Sequence, residues 1–178
     1  HILKYKYGMN PLTVTWPPIL YTDYGYKNWK NWINSGFDNL TFTPNGKVMN
    51  LLTKLSIENL MHPFQTFMMG QKVFPVKVAL KYKIPLVFYG ENEAEHGSLP
   101  IADNNISLRK KSFFTRQNIS KVHLGGVPLN ELSSDYSLKK KDLDIFLPPA
   151  VEALENSPLE VHYLGYYLKW TPQETFYY

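Results

Sequence analysis

The chain has 178 residues, enough for one domain with a sizeable core, and 44% of them are hydrophobic and 15% aromatic. Only 19% are charged, against roughly 25% in an average globular domain, which excludes a disordered chain, and no apolar run approaches the ~20 residues of a membrane span. The net charge is +4, and apart from Arg109 and Arg116 every basic residue is lysine, which argues against a nucleic-acid reader built on bidentate arginine contacts.

The opening, His1 to Gly8, reads as the last turns of a helix closed by glycine. Leu12-Thr13-Val14-Thr15-Trp16 is a short strand stopped by Pro17-Pro18. Thr22-Asp23 opens a helix with Tyr26, Trp29 and Ile33 on one face, ending at Ser35-Gly36. Asn39-Leu40-Thr41-Phe42-Thr43 is the next strand. Pro44-Asn45-Gly46 starts a second helix, with Val48, Leu51, Leu52 and Leu55 at helical spacing, broken at His62-Pro63. A further helix is expected from about Pro75 to Lys83, burying Val76, Ala79 and Leu80. Pro85-Leu86-Val87-Phe88-Tyr89 has the profile of a strand covered on both faces.

Residues 91–128 read as a long loop region with short turns, and 129–147 as two short helices closed by Pro148-Pro149. Within them Lys139-Lys140-Lys141, followed by Asp142 and Asp144, reads as a solvated helix face rather than a phosphate-tracking groove. Leu159 to Leu168 reads as a strand. Thr171-Pro172-Gln173-Glu174 has the pattern of a helix start, so the chain is expected to be a piece of a larger protein. Strand and helix alternating at this spacing predict an α/β fold with a mainly parallel sheet sandwiched by helices. The division expected is 1–97 as the core βα units, with 98–178 adding loops, short helices and a further strand of the same domain.

In such a sheet ligands bind at the carboxyl ends of the strands. Three clusters fall there: Thr15-Trp16-Pro17-Pro18, Thr43-Pro44-Asn45-Gly46-Lys47, and Gly90-Glu91-Asn92-Glu93-Ala94-Glu95-His96. The Thr43–Lys47 turn stands at a helix N-terminus, where free N–H groups favour an anion; Thr43 or Asn45 as a plain helix cap is the alternative. Trp16 is placed either to stack on a ring of a ligand or to pack in the core. If Glu91 to His96 is helical, Glu91 and Glu95 share a face, and oxygen ligands at that spacing suit Mg²⁺ better than zinc; a solvated loop is the alternative. No residue is assigned as a fixed metal ligand. His62, His123 and His162 stand isolated among apolar or turn residues and read as structural. No serine-hydrolase, zinc-protease, Walker or dinucleotide fingerprint occurs. The absence of cysteine excludes disulfides, thiolate zinc and a cysteine nucleophile within these residues, and fits a reducing cytoplasm.

The wording of these clusters resembles one family. The peptides are Tyr21-Thr22-Asp23 with Gly25-Tyr26-Lys27-Asn28, Ser35-Gly36-Phe37-Asp38-Asn39, Phe42-Thr43-Pro44-Asn45-Gly46-Lys47 and His62-Pro63-Phe64-Gln65. Gly70-Gln71-Lys72, Tyr89-Gly90-Glu91-Asn92, His123-Leu124-Gly125-Gly126-Val127 and Glu160 to Trp170 complete the set. Together they are similar to the N-acetyl sugar amidotransferases of lipopolysaccharide biosynthesis (WbpG-like) and of pseudaminic-acid flagellin modification (PseA-like). The resemblance spans nearly the whole chain and is weakest at 98–122.

It implies a three-layer α/β/α fold of the ATP pyrophosphatase type, adenine nucleotide alpha hydrolase-like, truncated at both ends. The family's Ser-Gly-Gly-x-Asp-Ser phosphate loop would lie just before His1, so the fragment alone is expected to be inactive. Gly90-Glu91-Asn92-Glu93-Ala94-Glu95 also departs from the Gly-His-x-x-Asp-Asp of several wider relatives, which argues against a tRNA-modifying enzyme. The implied reaction uses ATP and Mg²⁺ to adenylylate a sugar acetamido oxygen, after which ammonia gives an acetamidino group. With no cysteine in the chain, ammonia is expected from a separate glutaminase subunit. The substrate implied is a nucleotide-linked N-acetyl sugar, with neither nucleic acid nor membrane as a partner, and the compartment the cytoplasm. On this resemblance Thr15 and Trp16 would border adenine and ribose, and Thr43, Asn45, Gly46 and Lys47 would face phosphates or the substrate's anion. Glu91, Asn92 and Glu95, after Gly90, would contact the reacting amide, ammonia or Mg²⁺. Arg109, Lys110, Lys111 and Arg116 are offered either as a sugar-nucleotide diphosphate site or as a solvated loop. The alternatives are a related ligase acting on another small molecule and a non-catalytic sugar-binding or interaction domain.

Overall fold

Thr22 and Asn45 set the first two α-helices of the chain. In the computed structural model, which describes residues 1–90, 106–115, 121–169, 171 and 173, each begins at a side-chain cap. Thr22 Oγ1 accepts the Gly25 amide at 3.0 Å and starts α1, Asp23–Ile33. Asn45 Oδ1 accepts the Lys47 amide at 3.0 Å and starts α2, Gly46–Leu60, which ends with Met61 in the left-handed region. Capping satisfies donors that a helix start otherwise leaves to solvent.

Short strands alternate with these helices. β1, Thr13–Thr15, pairs in parallel with β2, Asn39–Thr41, with Thr13 opposite Asn39 and Thr15 opposite Thr41. After α2 come α3, Gln65–Tyr82, and β3, Leu86–Tyr89. A hairpin follows, β4 His123–Leu124 and β5 Val127–Pro128. Three short helices come next: α4 Leu129–Ser134, α5 Lys140–Leu143 and α6 Val151–Glu155. The last strand, β6 Glu160–Tyr163, pairs in parallel with β3, Leu86 opposite Glu160 and Tyr89 opposite Tyr163. The described residues thus mix helices with short parallel strands in an α/β manner, the hydrogen-bonded ladders being two parallel pairs and one antiparallel pair.

Contacts divide the chain into two units, His1–Phe74 with Ser120–Leu147, and Pro75–Ile119 with Pro148–Tyr178. In the first, Val48, Leu52 and Leu55 of α2 bury against Leu124 and Val127 of the hairpin, Leu132 of α4 and Leu143 of α5, with Phe146 and Leu147 beside them. In the second, Val76 and Ala79 of α3 bury against Phe114, Leu154 of α6, Leu159 just before β6, and Val161 of β6.

Several expectations change. The helix expected from Pro75 begins at Gln65, and Pro75 lies inside it. Proline removes one helical hydrogen bond and costs about 3 kcal/mol, but Val73, Phe74, Val76, Val78 and Ala79 are all buried around it, and that burial outweighs the cost. The 91–128 stretch, read as loop and turns, contains the hairpin and a 3₁₀ turn at Lys111–Phe114. Gly125 and Gly126, at φ +64° and +76°, form the two-residue turn, a conformation glycine adopts without steric cost. The strand expected to reach Leu168 stops at Tyr163 and becomes a 3₁₀ turn, Leu164–Tyr166. β3, expected to be covered on both faces, is half-buried at all four residues. The opening helical turn, Ile2–Lys6, is π-helical, with the Tyr7 amide donating to the Ile2 carbonyl, and Gly8 follows at φ +64°. The three lysines at 139–141 are exposed, and Asp142 accepts the Lys139 amide at 3.0 Å to start α5. Among the described residues no helix is long and apolar enough to cross a membrane. The helix start expected at Thr171-Pro172-Gln173-Glu174 lies largely outside them.

Candidate functional site

Side chains alternate across a strand, and this period decides what β1 and β2 present. Thr13 and Thr15 share a face with their partners Asn39 and Thr41, while Val14 and Leu40 share the other. The polar face closes into one hydrogen-bonded cluster. Asn39 Nδ2 donates to Thr13 Oγ1 at 2.7 Å and to Thr15 Oγ1 at 3.3 Å. Thr41 Oγ1 donates to Asn39 Oδ1 at 2.7 Å and accepts the Trp29 indole N–H of α1 at 3.3 Å.

At the carboxyl end of β1 this face opens into a cavity of about 490 Å³. Its aromatic walls are Tyr21, Trp29 and Trp32, and its polar groups are Thr15, Thr22 and Asn28; among the described residues no charged side chain lines it. Tyr21 lies tilted against Trp29, centroids 6.1 Å apart, and Trp32 stacks on Phe37 at 5.5 Å and 15°. Burial raises the Tyr21 hydroxyl above its ordinary 10.0 by disfavouring the phenolate. α1 has no buried residue: of the face expected to pack, Trp29 is half-buried, whereas Tyr26 and Ile33 are exposed.

Trp16, one residue beyond Thr15, falls on the opposite face. It stacks on Phe42 at 5.9 Å and 16°, and meets Phe74 and Phe146 at 5.6 and 5.7 Å. Its Nε1 is buried without a hydrogen-bond partner among the described residues. A Cβ on Gly70 would come within 2.6 Å of three of its ring atoms, so α3 needs glycine there. The one-residue step from Thr15 to Trp16 therefore separates a cavity residue from a core residue.

β2 leads into the second cluster. Thr43, Asn45, Gly46 and Lys47 are exposed, and Pro44 between them is buried. Asn45 caps α2 and so takes the Lys47 amide, and at 3.5 Å the Val48 amide, that an anion at this helix start would otherwise meet. Of the third cluster only Gly90 is described, an exposed bend after β3. Glu91, Asn92, Glu93, Ala94, Glu95 and His96 lie outside the described residues. Among those that are described, no group of three His, Cys, Asp or Glu side chains is placed to hold a metal ion.

His162, read as isolated, belongs to a polar chain on the second unit. Strand alternation puts Glu160 and His162 on one face, and the 3₁₀ turn returns Tyr167 to them. His162 Nε2 lies 3.2 Å from Glu160 Oε2, its Nδ1 is 2.7 Å from the Tyr167 hydroxyl, and that hydroxyl is 2.9 Å from Ser107 Oγ. His62 Nδ1 accepts the Phe64 amide at 3.2 Å, and His123 Nδ1 lies 3.0 Å from the Lys121 carbonyl, both local structural bonds. In the basic stretch, the Arg109 guanidinium lies over the Tyr163 ring at 4.7 Å, and Lys111 donates to the carbonyls of Glu155, the last residue of α6, and Ser157 beyond it. Arg116 lies outside the described residues.

Two separated peptides of the resemblance meet directly. Gln65 Nε2 donates to the His123 carbonyl at 2.9 Å, and its Oε1 accepts the Gly125 amide at 2.9 Å. Asn59 Nδ2 donates to the Gly125 carbonyl at 3.0 Å. No family model matches the chain, and no curated protein matches it.

Proposed function

We propose that this protein is an ATP-dependent sugar amidotransferase acting in the cytoplasm, converting the N-acetyl group of a nucleotide-linked sugar into an acetamidino group. The carrying observation is the ordered set of peptides similar to that family, supported by the direct bonding of two of them, at Gln65 and Gly125, into one structural unit. The three-layer α/β/α arrangement of the ATP pyrophosphatase type is part of this proposal. In its reaction the acetamido oxygen attacks the α-phosphorus of ATP and pyrophosphate leaves. Ammonia then adds to the amide carbon, and AMP leaves with the former amide oxygen. ATP supplies the leaving group, and the proposal assigns Glu91, Asn92 and Glu95 to the reacting amide, ammonia or Mg²⁺. A separate glutaminase subunit supplies the ammonia.

The test uses the full-length protein with ATP, Mg²⁺, ammonium and a nucleotide-linked N-acetylhexosamine. AMP and pyrophosphate formed together with an acetamidino product support the reading. Their absence, or a full gene without a Ser-Gly-Gly-x-Asp-Ser loop, removes it. The aromatic cavity beside α1 favours a second reading, a non-catalytic sugar-binding domain, which either negative result leaves standing.

A further inference from the structure

We infer that the cavity between the carboxyl end of β1 and α1 binds a neutral pyranose ring. Identifying that ring as the N-acetyl sugar to be amidated rests on the function proposed above.

The first argument is charge. Among the described residues the lining offers aromatic faces, hydroxyls and one carboxamide but no cation, so neither a phosphate nor a carboxylate finds a counter-charge on them. The second is the polar inventory. Thr15 Oγ1 accepts from Asn39, and Thr22 Oγ1 accepts from the Gly25 amide, which leaves each hydroxyl proton to donate. Asn28 makes no side-chain hydrogen bond among the described residues, so its carboxamide has both donor and acceptor to offer.

The third is ring geometry. A planar base is held best between two parallel rings, but Tyr21 and Trp29 touch each other at 49° and leave no slot between them. The stacked partner of Trp32 is Phe37, part of the protein itself. Separate aromatic faces with neutral donors and acceptors around them suit a ring whose C–H face is apolar and whose edge carries hydroxyls. A volume of about 490 Å³ is in the range of small-molecule sites.

The experiment follows the indole N–H resonances of the four tryptophans while free N-acetylglucosamine is added to the intact chain. The Trp29 and Trp32 signals should shift, and that of core-packed Trp16 should not. Asn28→Ala, at an exposed position without hydrogen bonds, should weaken binding by about threefold to tenfold with unchanged thermal stability, and Trp32→Ala by about tenfold. Adenosine serves as the competing probe. If adenosine shifts these signals and the sugar does not, or if neither does, the inference is overturned. Sugar binding without ATP-dependent amidation would keep the cavity assignment and remove the amidotransferase reading. Amidation with no indole shift would do the reverse.

Discussion

The Gln65 carboxamide and the Gly125 peptide, sixty residues apart in sequence, are bound by a 2.9 Å hydrogen bond that fixes the β4–β5 turn to the start of α3. The same carboxamide holds the His123 carbonyl, and Asn59 of α2 holds the Gly125 carbonyl, so the turn is pinned from two helices. Gln65→Ala should lower stability by about 1–2 kcal/mol in urea unfolding, since a partly buried amide loses its acceptor. A double-mutant cycle with Asn59→Ala should show coupling, because both side chains grip one residue. Strict additivity would mean that the turn is held by packing alone.

Gly70→Ala pits two effects against each other. Alanine gains up to about 1 kcal/mol of helix propensity, but its Cβ collides with the Trp16 indole, whose packed surroundings resist displacement at a cost of about 1–3 kcal/mol. The expected result is a lower melting temperature, recovered in part by adding Trp16→Leu. A stabilised Gly70→Ala would show that the indole has room to move.

Asn45→Asp separates capping from anion binding. Aspartate accepts the same amide bonds and complements the helix dipole, so α2 should be equally or more stable. On the proposed function the added negative charge should raise the KM for ATP or the nucleotide sugar in the full-length enzyme. Unchanged kinetics would leave Asn45 a cap and nothing more.

Tyr21 makes a pH prediction. Its folded pKa is raised by burial, so its contribution to stability is complete below the unfolded value of 10.0 and is lost as pH rises through the folded value. The urea midpoint of the native protein should therefore fall relative to Tyr21→Phe as the pH rises above 10.0, with the two curves parallel at lower pH.

Glu91→Gln tests the acid–base assignment. On the proposed function, turnover of the full-length protein should drop by about 10²-fold or more when followed as AMP formation. A rate near that of the native enzyme takes Glu91 off the reacting group.

The parts of the fold legible in sequence were those written in local chemistry. Thr22 and Asn45 announce their helices because a cap is a contact within three residues. The span of α3 was hidden because Pro75 is a local break signal overruled by burial on both sides of it. The β4–β5 hairpin carried a visible sign in Gly125-Gly126, but each strand is only two residues long and shows no alternation. The pairing of β3 with β6 joins residues over seventy positions apart, and no periodicity encodes a partner at that distance. At the site, Thr15 and Trp16 were found together as one cluster; only the strand face distinguishes the cavity residue from the core residue. The cavity walls Tyr21, Trp29 and Trp32 carry no sequence signal as a set: Tyr21 precedes α1, and aromatics at helical spacing look like core, whereas α1 buries none of its side chains.

That last property leaves α1 with little burial to resist local opening. Amide exchange along Asp23–Ile33 should be fast compared with that in α2, whose Val48, Leu52 and Leu55 are locked in the core. A molecule seated against Trp29 and Trp32 would add the missing buried contacts and slow exchange throughout the helix. Occupancy of the cavity would then be recorded as order in α1, carried to its outer, solvent-facing side without any change in the average backbone position.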